Sequence, residues 1–85
     1  EGVNLAAMAT LRLFASVREA AGTGRAEFDA ATVGEVIAKA TEAYGAEFEA
    51  LLPTCRIWVN GEPAVEAQPV DGRDEVAVLP PVSGG

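Results

Sequence analysis

Residues 32–44 read Thr-Val-Gly-Glu-Val-Ile-Ala-Lys-Ala-Thr-Glu-Ala-Tyr and carry the clearest helical pattern in the chain. Apolar side chains recur there at the spacing of one helix face, at Val33, Val36, Ile37, Ala40 and Tyr44. Thr32 and Glu35 have the spacing of a capping box, and Gly45 suits the position just past the helix end. We therefore predict one main helix whose apolar face must pack on a sheet.

Short alternating stretches on both sides of this helix predict the strands of that sheet. They cover residues 10–15, 25–29, 56–60, 63–66 and 75–79. Asn60-Gly61 is a tight-turn dipeptide, and Pro63 is tolerated only on an edge strand. Between the first two strands, Ser16 is predicted to cap a short helix that ends at Gly22.

The order of these elements predicts an α+β fold in which one helix covers one face of a mixed sheet of four to five strands. The first and last strands are rich in apolar residues and should lie side by side in the centre. This is the β-grasp arrangement of ubiquitin. We expect the domain to span residues 10–79, with a disordered leader at 1–9 and a flexible tail at 80–85. Residues 1–7 could be an added leader ahead of a natural start at Met8.

Composition narrows the functional classes. The chain has 85 residues and a net charge of −7, which argues against binding nucleic acid or an anionic membrane surface. It has no histidine and one cysteine, Cys55, which excludes the usual zinc sites and any triad that uses histidine. A lone thiol at the start of a strand is expected to be a packing residue, and a reducing cytoplasm is the expected location. We expect no bound metal or cofactor.

The strand alternation also predicts which side chains the helix leaves uncovered. The helix should cover Leu11, Leu13, Ile57, Val59, Val76 and Val78. Phe14, Trp58 and Leu79 would then lie on the opposite face as one apolar patch, close to the end of the last strand. Such a patch is typical of a partner site, and aromatic side chains are favoured there. The alternative is that a loop or a folded-back side chain covers it.

The sequence ends in Pro80-Pro81-Val82-Ser83-Gly84-Gly85. Two glycines give the thinnest possible backbone, which can enter a channel too narrow for other residues. Pro80 and Pro81 favour an extended chain just before these glycines. Because the rest of the chain offers so few reactive side chains, we interpret the carboxylate of Gly85 as the reactive group. The alternative is an ordinary frayed end.

Several segments resemble the MoaD/ThiS sulfur-carrier family, and most of all the small subunit of molybdopterin synthase. They are residues 14–22 (Phe-Ala-Ser-Val-Arg-Glu-Ala-Ala-Gly), Thr32-Val33, Val59-Asn60 and, most specifically, 74–85 (Asp-Glu-Val-Ala-Val-Leu-Pro-Pro-Val-Ser-Gly-Gly). The resemblance covers residues 10–85. The Arg-Glu-x-x-Gly segment favours this subfamily over the shorter carriers of the thiamin pathway.

The resemblance implies a ubiquitin-like sulfur carrier with no catalytic side chains of its own. An E1-like adenylating enzyme would use ATP to adenylate Gly85, and a sulfur donor would convert the adenylate to a thiocarboxylate. The tail would then enter the large subunit of molybdopterin synthase, in a heterotetramer. There it would give sulfur to precursor Z (cyclic pyranopterin monophosphate) to form the dithiolene of molybdopterin.

The resemblance also implies partner-binding residues. It places Phe14, Pro63 and Leu79 in the docking surface, and Pro80, Pro81, Val82 and Ser83 along the tail. Trp58 joins this set from the strand alternation alone. Two other functions stay open. One is a sulfur carrier for thiamin or cysteine biosynthesis, and the other is a non-catalytic ubiquitin-like modifier joined to lysines.

Overall fold

The computed structural model describes residues 8–81, which form one five-stranded sheet with its helices on one face. In chain order the elements are β1 (Met8–Leu13), α1 (Ala15–Ala21), β2 (Arg25–Asp29), α2 (Val33–Tyr44), α3 (Ala46–Leu51), a 3-10 turn (Leu52–Thr54), β3 (Arg56–Val59), β4 (Glu62–Pro63) and β5 (Glu75–Leu79). The strand order is β2-β1-β5-β3-β4, and only the central β1–β5 pair is parallel. The predicted α+β, β-grasp arrangement is confirmed.

Strand β1 begins two residues before the predicted domain boundary. Met8 pairs with Asp29 and Ala9 pairs with Phe28, and the Ala9 side chain is fully buried. The prediction of a disordered leader over residues 1–9 is therefore wrong for its last two residues, because β2 is long enough to hold them in the ladder. Residues 1–7 lie outside the described part of the chain.

The predicted cap of the first helix is also wrong. Ser16 lies inside α1, and the N-cap is Phe14, whose backbone is extended and whose side chain makes no capping bond. The chain turns at Ala15, which has a φ of 51°. This left-handed conformation is uncommon for a residue other than glycine, so the pattern of polar residues could not reveal it. The helix ends as predicted at Gly22, whose N–H donates to Arg18 O at 2.9 Å.

The main helix α2 is anchored at its N-terminus as the capping box predicts. The Glu35 N–H donates to Thr32 Oγ1 at 3.2 Å, while the Glu35 carboxylate accepts from the Ala31 N–H at 2.6 Å. The loop after β4 satisfies two more amides, because Val33 and Gly34 N–H donate to loop carbonyls at 2.9 Å each. Since these four amides have fixed partners, the helix has a defined start above the sheet.

The core lies between α2 and the sheet. The helix-facing strand residues predicted to be covered are buried, and only Ile57 stays partly exposed. Phe48 from α3 is fully buried and packs edge-to-face on Tyr44, with ring centroids 5.3 Å apart. None of the helices within residues 8–81 is long and apolar enough to cross a membrane.

Strand β4 is shorter than predicted and starts one residue earlier. Asn60 and Gly61 have φ values of 52° and 85°, as a two-residue hairpin turn of this kind requires. The turn therefore pairs Trp58 with Pro63 and Val59 with Glu62. Pro63 stands on an edge strand, as predicted, and the chain then leaves the sheet to meet the start of α2.

Candidate docking face and tail exit

The uncovered face of the sheet carries a row of side chains that crosses four strands. The register places Arg12 beside Ala77, Ala77 beside Trp58, and Trp58 beside Pro63. Residues directly opposite each other in neighbouring strands share a face, so these side chains form a continuous strip. Leu79, two residues beyond Ala77 on β5, lies on the same face and adjoins Trp58 diagonally.

Phe14 lies next to this strip, directly after the end of β1. The Arg12 guanidinium carbon stands 5.5 Å from the centroid of its ring, within the range of a cation–π contact. Phe14, Trp58 and Leu79 are each half-buried, so the patch keeps part of its apolar surface open. We call the surface formed by Phe14, Trp58, Pro63, Ala77 and Leu79 the docking face. Its placement on the uncovered side agrees with the strand alternation, and its role in partner binding stays a prediction.

One exposed apolar side chain escaped the sequence reasoning. Val65 is 69% exposed and follows Pro63 by two residues. It falls within the predicted edge strand at residues 63–66, and the alternation gives it no separate role. In the structure β4 has already ended, and Val65 stands in the loop that runs to α2. It therefore adds apolar surface near the β4 edge of the sheet.

The tail leaves the domain from the central strand of the sheet. β5 pairs with β1 on one side and with β3 on the other, and its last residue is Leu79. Pro80 is half-buried against the domain and Pro81 is exposed. The tail thus starts from a fixed point beside the docking face. The predicted tail residues Val82, Ser83, Gly84 and Gly85 lie outside the described residues.

The uncovered face of the sheet carries a large share of the chain's positive charge, although the chain as a whole has a net charge of −7. The uncovered face carries three of the chain's six cationic residues, Arg12, Arg25 and Arg56. Arg12 pairs with Glu75 at 3.3 Å and Arg25 with Glu27 at 3.8 Å. Within residues 8–81 no carboxylate lies within ion-pair distance of Arg56, which is level with Leu79 where the tail leaves. This end of the face therefore presents a cation beside apolar surface.

Cys55 has the environment of a packing residue. Its thiol is part-buried and contacts the Leu51 carbonyl oxygen at 3.2 Å. Burial raises the pKa of the Cys55 thiol, and a weaker opposing effect comes from the hydrogen bond with Thr54. A thiol with a raised pKa holds little thiolate at neutral pH and is a poor nucleophile. Residues 8–81 contain no cluster of three or more side chains suited to hold a metal ion.

The model of the ThiS family matches residues 11–85 of this sequence. The chain belongs to the ThiS family. It is thus a ubiquitin-like member of a group that contains sulfur carriers and protein modifiers. A search of curated proteins found no significant match.

Solved structures give further neighbours of this ThiS-family chain. The crystal structure of small archaeal modifier protein 1 from Haloferax volcanii is 29% identical, with a TM-score of 0.82 over 92% of this chain and 99% of the other. The solution structure of the Methanosarcina acetivorans protein of the same name is 28% identical, with a TM-score of 0.78 over 94% and 98%. A complex of subunits 1 and 2 of the molybdopterin-converting factor from Helicobacter pylori matches at 24% identity, with a TM-score of 0.71 over 92% and 99%. This last likeness is one of fold.

Proposed function

We propose that this chain is the sulfur-carrying small subunit of a molybdopterin synthase. Gly85 is the group that carries the sulfur, and the β-grasp domain is the part that partner proteins recognise. The observation that carries the proposal is the position of β5, which holds the start of the tail at the centre of the sheet and beside the docking face. The family match continues from this domain to residue 85, so it includes both parts.

The chemistry requires an activated carboxylate, because a free carboxylate has no good leaving group. An E1-like enzyme joins the Gly85 carboxylate to the AMP portion of ATP and releases pyrophosphate. A donor of sulfide-level sulfur then attacks the carbonyl carbon. The new C–S bond forms as the C–O bond to AMP breaks, and AMP leaves. The product is a thiocarboxylate, and a side chain on Gly84 or Gly85 would obstruct the approach of the E1-like enzyme and of the sulfur donor.

The tail is long enough to carry this group away from the domain. Six extended residues span at most ~20 Å, which is enough to reach a site buried in a partner. Meanwhile the docking face offers Trp58 and Phe14 as aromatic anchors, the side-chain type that most often dominates binding energy. We infer that the large synthase subunit covers this face while the tail delivers sulfur to precursor Z. The Helicobacter pylori neighbour, a complex of subunits 1 and 2, supports a partner of this kind.

A second candidate function is a protein modifier. The Haloferax volcanii and Methanosarcina acetivorans neighbours, each more than 25% identical to this chain, are small archaeal modifier proteins. In this alternative the activated Gly85 carbonyl is attacked by a lysine amine of another protein, and an isopeptide bond forms as AMP or a carrier thiol leaves. The same tail and the same activation serve both functions, so the acceptor distinguishes them.

A reconstituted reaction separates the two candidates. The chain in its thiocarboxylate form is mixed with a large synthase subunit and precursor Z, and molybdopterin is followed by its fluorescent oxidation product. We expect product to form with the intact chain and to be lost when Gly85 is deleted, although the deleted chain should still fold. If no product forms while lysine adducts that retain Gly85 accumulate in the host cell, the modifier function replaces the carrier function.

A further inference from the structure

Strand β2 is an edge of the sheet, and its outward backbone groups can be identified from the ladder. The Leu13 N–H donates to Gly24 O at 3.0 Å. Hydrogen-bonded positions alternate along an antiparallel pair, so Ala26 and Phe28 also turn their backbone groups toward β1. It follows that the backbone groups of Arg25, Glu27 and Asp29 point away from the sheet, along the edge.

Two side chains already occupy three of these six outward groups. Thr23 Oγ1 accepts from the Arg25 N–H at 3.3 Å and donates to Arg25 O at 3.0 Å. At the other end of the strand, Lys39 Nζ reaches across from α2 and donates to Asp29 O. Within residues 8–81 this leaves Glu27 as the residue of β2 with both outward groups unbonded. One residue offers too few hydrogen bonds to bind another strand.

The unblocked strand would be well suited to pair with itself. If two copies of β2 ran antiparallel with Ala26 opposite Ala26, Arg25 of each copy would stand opposite Glu27 of the other. Opposite charges at directly facing positions favour pairing. The same register would join Arg25 and Glu27 through four backbone hydrogen bonds, and it needs the Arg25 groups that Thr23 holds. Asp29 would be the next outward residue in this pairing, opposite Thr23 of the other copy, and Lys39 already holds its carbonyl oxygen.

We infer that Thr23 and Lys39 keep β2 from pairing with the same strand of a second copy. Both side chains form hydrogen bonds with outward backbone groups of β2. Thr23 does so from the turn before the strand, and Lys39 does so from α2. An exposed edge strand is a template for association, and natural sheets protect such edges. The opposite edge has a comparable device, since Pro63 occupies the one β4 position whose N–H would point outward. Under the proposed function the chain binds several partners in turn through its docking face and tail. A chain whose edge strands do not pair with a second copy stays monomeric and can bind each of these partners.

The test removes the hydrogen bonds of Thr23 and Lys39 to β2 and measures the molecular mass of the protein in solution. In the double variant Thr23→Val/Lys39→Met the shape of both side chains is nearly kept while their hydrogen bonds are lost. We expect light scattering after size-exclusion chromatography to give a mass that rises with concentration to twice that of the monomer, while the intact chain stays a monomer. A matched control, Thr54→Val/Arg73→Met, removes the same kinds of group far from β2 and should remain monomeric.

A third substitution distinguishes strand pairing from unspecific aggregation. Adding Glu27→Pro to the double variant removes an outward N–H without touching the β1 ladder, so it should restore the monomer. If the double variant stays monomeric at millimolar concentration, or if Glu27→Pro fails to reverse its association, the inference is wrong.

Hydrogen exchange gives a reading that does not depend on the double variant. In the intact chain the Arg25 amide should exchange more slowly than the Glu27 amide, because only Arg25 has a partner. Thr23→Val should raise the Arg25 rate by about fivefold, the loss expected for one hydrogen bond of ~1 kcal/mol. An unchanged Arg25 rate would overturn the role given to Thr23.

Discussion

Replacing Asn60 tests how the hairpin beside the docking face is held to the central strand. The Asn60 side chain accepts from the Glu75 N–H at 3.0 Å and donates from Nδ2 to Asp74 Oδ1 at 2.9 Å. Its backbone has a φ of 52°, a left-handed conformation that asparagine tolerates better than most residues. One residue therefore contributes both the shape of the β3–β4 turn and a link to the start of β5.

The expected loss in the free energy of unfolding for Asn60→Ala is the sum of three contributions, two from hydrogen bonds and one from the left-handed backbone. The bond from the Glu75 amide is worth about 1 kcal/mol. The bond to the Asp74 carboxylate is exposed and contributes less, about 0.5 kcal/mol, because water competes for it. Alanine in the left-handed region costs roughly 1 kcal/mol more than asparagine. We expect the free energy of unfolding to fall by about 2–3 kcal/mol and the melting temperature by about 10–20 °C.

A second substitution separates the backbone term from the side-chain terms. Asn60→Gly loses the same two hydrogen bonds but adopts the left-handed conformation freely, so it should be about 1 kcal/mol less destabilising than Asn60→Ala. Urea unfolding followed by circular dichroism measures both. The reasoning is refuted if Asn60→Ala unfolds within about 0.5 kcal/mol of the intact chain, the range of ordinary surface substitutions. It is also refuted if the two variants are equally unstable.

Three further predictions concern the docking face, a surface carboxyl and the thiol. Trp58→Ala should weaken binding to the proposed large synthase subunit by about 2 kcal/mol, or roughly 30-fold in Kd by calorimetry, whereas Glu42→Ala, exposed on α2 on the opposite side of the sheet, should leave it within about threefold. Hydrogen bonds from Arg73 lower the pKa of the Asp71 carboxyl. Its contribution to stability is therefore present above the unfolded-state pKa and lost as the pH falls through the folded-state value. By NMR titration Arg73→Gln should move this pKa up toward its ordinary value, and an unmoved pKa would contradict the assignment. Because burial raises the pKa of the Cys55 thiol, alkylation of the native chain at pH 7 should be slower than that of a free thiol and should speed up as the pH rises, and equal rates would argue against a packing role.

The parts of the fold that the sequence predicted are those with a repeating local pattern. The apolar spacing and capping residues of α2 lie within one short segment, so its limits follow from residues 32–45 alone. The alternation in β3 and β5 likewise separates covered from uncovered side chains. Because these periods are properties of the strand and helix backbone, they needed no knowledge of distant contacts.

The features that the sequence did not predict depend on contacts between distant segments or on an unusual backbone. Ser16 is a residue type that often caps helices, but with the left-handed turn at Ala15 the N-cap is Phe14, two residues earlier. Met8 and Ala9 join β1 because β2 extends to meet them. The hydrogen bonds of Thr23 and Lys39 with β2 could not be interpreted from the sequence, because the strand order is needed to show that β2 is an edge strand. The alternation predicted that Phe14, Trp58 and Leu79 lie on the uncovered face, whereas the register of β3 with its two neighbours was needed to place Pro63 and Ala77 beside Trp58.

The most direct test of the central proposal is the mass of the C-terminal peptide after activation. The full chain is incubated with an E1-like adenylating enzyme, ATP and a sulfur donor, then digested and fragmented in a mass spectrometer. We predict that one oxygen is replaced by one sulfur, and that the change maps to Gly85. A C-terminal peptide that keeps its oxygen, under conditions that convert an established carrier of the same family, would contradict the assignment of Gly85 as the sulfur-carrying residue.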